Sequence, residues 1–478
     1  MKDWTGKRVV ILGAARQGVA LARWLTKHGA TVTLSDKRTE EQLASARTTL
    51  SGLPINWAVG GHPIELLDHA DMLALSGGVP LTLPIVDEAI KRGIELSNDT
   101  QIFMEAVPCK TIGITGSAGK TTTTTLVGQM AKLAMEESGK HTLSQGEGKK
   151  EDSSINHHPS SFVGGNIGDP LINYVDEMTK DDLAILEISS FQLEQMTISP
   201  NVAAILNITP NHLDRHGTME AYTAAKKRIL DFQSKDDIAV LGHDDTGSWN
   251  LRDKVKGKLF TFSLNELPED LNGAYLHEGL LSLRDGFAYM PLMLREKIQL
   301  RGDHNVSNVL AAFAIGHAAG LPLDAMLTAA EEFHGVPHRL ELVRELNGVR
   351  WYNDSIATAP ERAMAGIHAF DEPIVLLLGG RDKNLPWEAL ANLIHQRVDH
   401  VVLFGEAAEK IQKAVAASSA ERPYTLTRVE HLHEAVIKAA EVAESGDVVL
   451  LSPGGTSYDE FKDFEERGEK FRVWVQEL

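Results

Sequence analysis

The chain has 478 residues, of which 43% are hydrophobic and 24% charged, an ordinary composition for a globular enzyme too long for one hydrophobic core. Its formal net charge of -19 excludes general binding to nucleic acid or to an anionic membrane, because either polyanion would repel it. Cys109 is the single cysteine, so no intramolecular disulfide forms, and neither a basic-then-apolar leader nor an apolar run of ~18–20 residues is present. These features lead us to expect a soluble, cytoplasmic protein of about three domains, with Cys109 a half-buried structural thiol.

In chain order, the first elements are a strand at Arg8–Leu12, a turn Gly13-Ala-Ala-Arg-Gln-Gly18, a helix to about His28 and a strand from Thr31 ending at Asp36. This is a βαβ unit with a glycine-containing first turn, as in dinucleotide-binding folds. Ala15 stands where the central glycine of G-x-G-x-x-G belongs, while Asp36 falls near the position of a ribose-binding acid. A nicotinamide-dependent oxidoreductase domain and a purely structural Rossmann-like domain both stay open on these residues alone. Further strands are expected at Met72–Leu75, before Ser76-Gly-Gly78, and at Ile94–Leu96, closing a domain over residues 1–98.

A second domain, over 99–335, begins with a short β-branched run into Gly116-Ser-Ala-Gly119-Lys120-Thr121-Thr122, followed by a helical pattern with Leu126, Val127, Met130 and Ala134 on one face. Strand, glycine loop and helix form a phosphate cradle: backbone N–H groups of Gly116, Ser117, Ala118 and Gly119 and the helix N-terminus face the anion, Lys120 neutralises it, and a hydroxyl such as Thr121 reaches Mg²⁺. The first glycine of the P-loop pattern is displaced by two residues, to Gly116, so an ordinary glycine-capped turn remains the alternative. The tract over 136–161 is polar and aperiodic and reads as a surface loop; its His157 and His158 read as solvated, not as metal ligands. Buried-type strands follow at Leu183–Ile188, carrying Glu187, and Val202–Ile208, leading to His212. In a parallel sheet ligands gather at the carboxyl ends of strands, where both residues fall. Each is equally readable as a satisfied strand-end carboxylate or a loop-capping imidazole.

A third α/β domain, over 336–478, has expected strands at Arg350–Asn353, Ile374–Leu378, Val401–Phe404 and Val448–Leu451. The loops Asp354–Thr358, Gly379–Lys383 and Ser452–Ser457 suit an anionic ligand, although β-to-α turns also use Gly and Ser for geometry alone. The fold class is therefore α/β: a Rossmann-like N-terminal domain, a central P-loop ATPase-like domain with a parallel sheet, and a C-terminal Rossmann-like domain.

Taken together, the ordered segments Gly116–Thr122, Gly164-Gly-Asn-Ile-Gly168, Leu186–Glu194, Asn207-Ile-Thr-Pro-Asn-His-Leu-Asp-Arg215, Tyr222-Thr-Ala-Ala-Lys226, Gly302-Asp-His-Asn305, Pro337-His-Arg-Leu-Glu341, Asn353–Thr358 and Leu451–Ser457 resemble those of the Mur ligases over nearly the whole chain. Members of that family activate a carboxylate with ATP as an acyl phosphate, which the amine of an amino acid then displaces. The resemblance is to the glutamate-adding branch and implies UDP-N-acetylmuramoyl-L-alanine and D-glutamate as substrates, ATP and two Mg²⁺ ions, and a monomer without nucleic-acid or membrane partners.

By the same resemblance, Lys120, Thr121 and Thr122 serve the phosphates and one Mg²⁺, with Glu187 a further ligand of that metal and His212 a ligand of the second. Lys226 corresponds to a lysine carried as a carbamate, although on sequence grounds alone it is a helix-surface lysine. Asn305, Arg339 and Asp354 correspond to adenine, phosphate and ribose contacts. Arg16, Gln17, Lys37, Arg38 and Gly78 correspond to the uracil- and diphosphate-binding loops, and Asn166 and Gln192 to contacts with the sugar-peptide. Thr358, Lys383, Ser457 and the backbone near Phe464 correspond to the glutamate site, where Lys383 is otherwise a solvated turn lysine. Two departures stand out: Ile356, where many glutamate-adding members have Lys, and Gly454-Gly455. They keep an L-glutamate-adding ligase in play. An oxidoreductase on residues 1–98 and a non-catalytic nucleotide switch are the readings from other classes, and the linker Gly335-Val-Pro337 is the expected hinge for closure.

Overall fold

The computed structural model describes residues 2–144, 159–383, 385–418 and 423–478. Strands β1 (Arg8–Leu12), β2 (Thr31–Asp36), β3 (Asn56–Val59), β4 (Met72–Leu75) and β5 (Glu95–Asn98) form an all-parallel sheet in the order 3-2-1-4-5. A second sheet holds β6 (Lys110–Thr115), β7 (Ser161–Gly165), β8 (Leu183–Glu187), β9 (Val202–Ile205), β10 (Ile238–Gly242), β11 (Lys258–Ser263), β12 (Gly273–His277), β13 (Leu280–Asp285) and β14 (Ala288–Leu294). Its order is 14-13-12-11-10-9-6-8-7, parallel except for the two hairpins that join β12, β13 and β14. The third comprises β15 (Glu341–Leu346), β16 (Val349–Asn353), β17 (Ile374–Gly379), β18 (His400–Phe404), β19 (Thr425–Arg428) and β20 (Val448–Gly454) in the order 15-16-20-17-18-19. Only its β15–β16 pair is antiparallel.

The fold is therefore a three-domain α/β architecture, and its central strands read as continuous apolar runs because helices cover both faces of a parallel sheet. In β8 and β17, for instance, every residue is buried. By compactness, Met1–Ile298 with Gly302–Phe333 forms one unit, so the first two sheets share it, and Gln299–Arg301 with His334–Leu478 forms a second. In each sheet the chain crosses to the opposite side of a central strand: from β3 to β4 past β1, from β8 to β9 past β6, and from β16 to β17 past β20. Such crossings open a crevice at the carboxyl ends of the strands, and this is where the candidate residues gather.

The helix that follows the glycine loop spans Lys120–Ser144, so the polar stretch does not begin at Glu136 as expected. Met, Glu and Lys are good helix formers, and nothing in Met135-Glu-Glu137 terminates a helix already under way. Residues 145–158 of that tract, with His157 and His158, lie outside the described residues, and its last residue, Ser161, opens β7 instead of closing a loop. Other boundaries move less. The strand expected over Val202–Ile208 ends at Ile205 and the one expected to reach Ile188 ends at Glu187, although the Leu206 and Ile188 N–H groups still donate to the Thr115 and Ile114 carbonyls of β6.

Candidate active site

The glycine loop between β6 and its helix is held from below by the segment that leaves β9. Asn207 accepts from the Ala118 N–H at 2.8 Å and donates to the Ala118 carbonyl at 3.1 Å, while its own carbonyl accepts from the Ser117 N–H at 3.0 Å. The Ser117 hydroxyl donates to the Thr209 carbonyl at 2.9 Å and lies 3.0 Å from the Tyr222 hydroxyl. Gly119 has φ +81°, and a Cβ there would meet Asn308 Oδ1 at 2.2 Å, so both backbone conformation and space demand glycine. Nothing in these contacts needs a glycine at Ile114, which is an interior residue of β6 paired with Glu187.

Four of the expected residues meet at this loop. The Lys120 ammonium donates to the Gly116 carbonyl at 2.8 Å. The Thr121 hydroxyl donates to Glu187 Oε2 at 2.8 Å, at the carboxyl end of β8, where Glu187 is only 2% exposed. Lys226, 1% exposed on the helix Met219–Asp231, also donates to the Gly116 carbonyl, at 2.9 Å. The sequence alone made Lys226 a helix-surface lysine; in the fold it is buried beneath the phosphate loop. Burial pushes its pKa down to about 7, the Lys120 ammonium adds to the shift, and Glu187 opposes it.

His212 lies on the exposed loop after β9, at φ +53°, with its ring edge-on to Phe191 at 5.2 Å between centroids. Asn305 sits in the first turn of the helix Asp303–Ala319, where its side-chain oxygen accepts from Asn308 at 3.1 Å.

Around the N-terminal crevice, Gly13 has φ +94° and a Cβ on Gly18 would sit 1.8 Å from the Gly13 carbonyl oxygen. These two glycines let the first helix dock onto its strand, so Ala15 between them is no defect. Burial would raise the pKa of Asp36, but Arg38 and the Ala14 N–H hold it well below the usual carboxylate range. Asp36 thus ties the turn to Arg38, while Lys37 stays exposed. Gly78 is at φ +92° and its carbonyl accepts from Arg215 at 3.2 Å.

Four of the residues matched to substrate contacts hold the protein together here. Arg16 donates to the Gly168 carbonyl at 2.7 Å and Gln17 to the Gly165 carbonyl at 3.2 Å. Asn166 donates to Glu187 Oε1 at 2.9 Å. Gln192 is buried, donates to Thr100 at 2.7 Å and accepts from the Ser189 N–H at 3.0 Å.

In the second unit, Asp354 at the end of β16 is buried, accepting from Ser452 at 2.8 Å and from the Leu340 N–H at 3.3 Å. Burial raises its pKa to about 7, against those hydrogen bonds and the charges of Arg339 and Arg362. Arg339 itself is exposed. Lys383 reaches Thr358 at 3.4 Å, and burial, helped by Arg362 and Arg467, lowers its pKa. Ser457 is buried on the loop after β20, and the Phe464 carbonyl accepts from Ser355 at 2.8 Å.

Sequence reasoning missed Arg467, fully buried, which donates to the carbonyls of Ser355 at 2.9 Å and Gly455 at 3.2 Å and so joins the loops around Lys383. It missed Arg362 too, which donates to the Ile356 carbonyl at 3.4 Å and places a guanidinium beside that residue. Gly454 and Gly455 have a packing cause. Their Cβ atoms would meet the Trp387 ring at 2.9 Å and the Gly379 carbonyl at 2.5 Å. Cys109 is buried, and burial pushes its thiol up to about 11, as suits a structural cysteine.

The donors near the loop fit magnesium. Thr121 and Glu187 offer hard oxygens, and among the described residues no group of three or more His, Cys, Asp and Glu is placed to hold a metal. A site with one or two protein ligands is how Mg²⁺ binds when phosphates and water complete its shell.

Comparison with known proteins gives a consistent picture. Residues 7–98 match the MurD-like N-terminal domain of Mur ligases, 114–316 the Mur ligase middle domain, and 338–455 the Mur ligase glutamate ligase domain. The chain is 37% identical over 472 residues to the UDP-N-acetylmuramoylalanine–D-glutamate ligase of Symbiobacterium thermophilum, covering 99% of this chain and 98% of that one. It is 38% identical over 474 residues to the enzyme of the same name from Caldanaerobacter subterraneus, with the same coverage. Among solved structures it resembles the UDP-N-acetylmuramate-alanine ligase MurC of Thermotoga maritima, with a TM-score of 0.54 at 19% identity over 98% of this chain and 99% of that one.

Proposed function

Because this chain belongs to the Mur ligase family, we propose that it joins D-glutamate to UDP-N-acetylmuramoyl-L-alanine at the expense of ATP, a step of peptidoglycan precursor synthesis. Relatives named for that reaction align with it end to end. The observation that carries the reading is the convergence of Lys120, the Thr121–Glu187 pair and buried Lys226 on one glycine loop.

The chemistry follows from what those groups do. The alanyl carboxylate attacks the γ-phosphorus of ATP, the bond to ADP breaks, and an acyl phosphate forms. The glutamate amine then attacks the acyl carbon and loses a proton, and phosphate leaves with the electrons of the C–O bond. The first step brings an anion against a polyphosphate, so fixed positive charge is needed where negative charge gathers. Lys120 and the N-terminus of the helix it opens supply it at the phosphates, while Asn207 takes up the Ser117 and Ala118 N–H groups and so sets the shape of the loop. Thr121 and Glu187 would hold one Mg²⁺ and His212 with Lys226 a second, which when bound offset charge between carboxylate and phosphate.

Lys226 titrates near neutrality because it is buried, so an unprotonated amine is available to attack CO₂. The N–C bond forms, a proton leaves, and the resulting carbamate replaces a cation with a carboxylate-like oxygen pair suited to magnesium. Asn305, Arg339 and Asp354 serve the nucleotide, while Arg16, Gln17, Lys37, Arg38, Gly78, Asn166 and Gln192 border the UDP-sugar side. Thr358, Lys383, Ser457 and Phe464 take the glutamate, with Arg362 a further cation beside Ile356. The same reading makes the protein a cytoplasmic monomer with domains at about residues 1–98, 99–335 and 336–478. It has no helix, among the described residues, long and apolar enough to cross a membrane.

The test is release of ADP and phosphate from ATP, Mg²⁺ and UDP-N-acetylmuramoyl-L-alanine with D-glutamate, L-glutamate or D-aspartate as acceptor. D-glutamate is expected to support the fastest turnover, and Lys120→Ala or Glu187→Ala to abolish it. Faster turnover with L-glutamate would reassign the acceptor, and full activity of either variant would sink the mechanism.

A further inference from the structure

Glu187 is served by two residues that lead away from the phosphate loop. β7 and β8 run side by side with Gly165 opposite Glu187, and a Cβ on Gly165 would lie 2.3 Å from the Glu187 carbonyl oxygen, so the two backbones touch. One residue on, Asn166 clamps Glu187 twice: its N–H donates to the Glu187 carbonyl at 2.8 Å and its side-chain amide to Oε1 at 2.9 Å. The other carboxylate oxygen, Oε2, is the one that accepts from Thr121. The segment bearing Asn166 is itself tethered to the first turn of the N-terminal domain, by Gln17 at the Gly165 carbonyl and Arg16 at the Gly168 carbonyl. Gln17 is wedged there, since a Cβ on Gly77 would meet its Oε1 at 3.2 Å.

We propose that Asn166 and Gln17 are positioning residues for Glu187: Gln17 fixes the Gly165 carbonyl, and Asn166 holds one carboxylate oxygen so that the other stays with Thr121 in the orientation that serves Mg²⁺. Glutamate has three rotatable side-chain bonds, and a carboxylate at a strand end is free to turn about the last of them unless one oxygen is occupied. Partners that orient a metal ligand matter nearly as much as the ligand, at about 10–100-fold in affinity. The path also gives the N-terminal turn, on the UDP-sugar side, a direct mechanical hold on the magnesium pole of the ATP site.

This inference rests on the ligase reading, and the experiment separates the two. ADP binding is measured by titration calorimetry, with saturating Mg²⁺ and with excess EDTA, in the absence of nucleotide sugar and glutamate. The near-isosteric variants Asn166→Leu and Gln17→Met remove the donors while keeping volume. Asn166→Leu is expected to reduce the Mg²⁺-dependent gain in ADP affinity about tenfold, and Gln17→Met about threefold, with affinity in EDTA unchanged in both. If Asn166 touched only the sugar-peptide, the gain would be unaltered without that substrate, and the inference would fall. An equal loss with and without Mg²⁺ would overturn it as well, marking general damage to the loop. A native protein that does not bind ADP at all would instead overturn the ligase reading, and the inference with it.

Discussion

Burying Lys226 destabilises the fold in a way that depends on pH. The folded protein releases the lysine proton near pH 7, whereas the unfolded chain keeps it to about 10.4. Between those values the unfolded state binds more protons, so stability rises with pH across the window and the penalty is complete below it. Lys226→Met removes the buried charge and keeps the stem. In buffer stripped of CO₂ the variant is expected to be more stable than the native protein by up to about 4 kcal/mol at pH 6, the gap closing toward pH 10. Calorimetric melting at several pH values checks this, and parallel pH profiles would refute it. Activity should be lost in the same variant, which separates the stabilising effect of the substitution from its functional cost. At this scale Lys120 and Thr121 were legible from spacing, because phosphate cradles need fixed residue types at fixed offsets, whereas Glu187 could be placed only at a strand's carboxyl end, where a satisfied carboxylate was an equal reading. The burial of Lys226 was not legible, because its helix supplies no local mark of what lies over it.

Elements show where local signals suffice. The hairpin β15–β16 turns at Asn347-Gly348, with φ of +55° and +79°, the conformation that makes Asn-Gly a hairpin turn. β13–β14 turns at Gly286-Phe287, with φ of +61° at the glycine, the glycine-first form of the tight hairpin turn. Both signals are local, but the parallel strand–helix alternation that dominates the chain masks them. The seating of the glycine loop was beyond any local signal, for it depends on Asn207, some ninety residues downstream. That seating is testable. Asn207→Leu removes the donor and the acceptor that face Ala118, so the loop loses its template while β6 and its helix stay packed. The expected result is a rise in KM for ATP of about tenfold, with KM for glutamate unchanged, on the scale of one or two hydrogen bonds to a phosphate-binding backbone. Unchanged ATP kinetics would show that the loop holds its shape without Asn207.

At the scale of the molecule, the division of labour between compact units sets what turnover requires. Lys120, Thr121, Glu187, His212, Lys226 and Asn305 belong to the first unit, and Arg339, Asp354, Thr358, Lys383 and Ser457 to the second. On the proposed reading neither set suffices by itself: the first would activate a carboxylate and the second would hold the amino acid that accepts it. The chain passes between units at Ile298–Gln299, Arg301–Gly302 and Phe333–His334. The last of these lies beside Gly335, whose φ of +109° is outside the range most residues adopt. The alternation of strands and helices made three sheets legible, but not that the first two share a core, since one cluster of buried residues runs from Trp4 to Leu251. The crossing at Gln299–Arg301 was hidden, since Arg301 joins the second unit through its ion pair with Glu372, a contact distant in sequence. The proposed reaction needs both residue sets, so ligands that bind both are expected to draw the chain into a more compact state. Small-angle scattering is therefore expected to show a smaller radius of gyration with a non-hydrolysable ATP analogue, Mg²⁺ and UDP-N-acetylmuramoyl-L-alanine together than with none. Replacing Gly335 by Pro, which cannot adopt a positive φ, is expected to weaken that contraction and to lower kcat more than the KM for ATP. A profile indifferent to substrates would mean that the two units meet their ligands without moving.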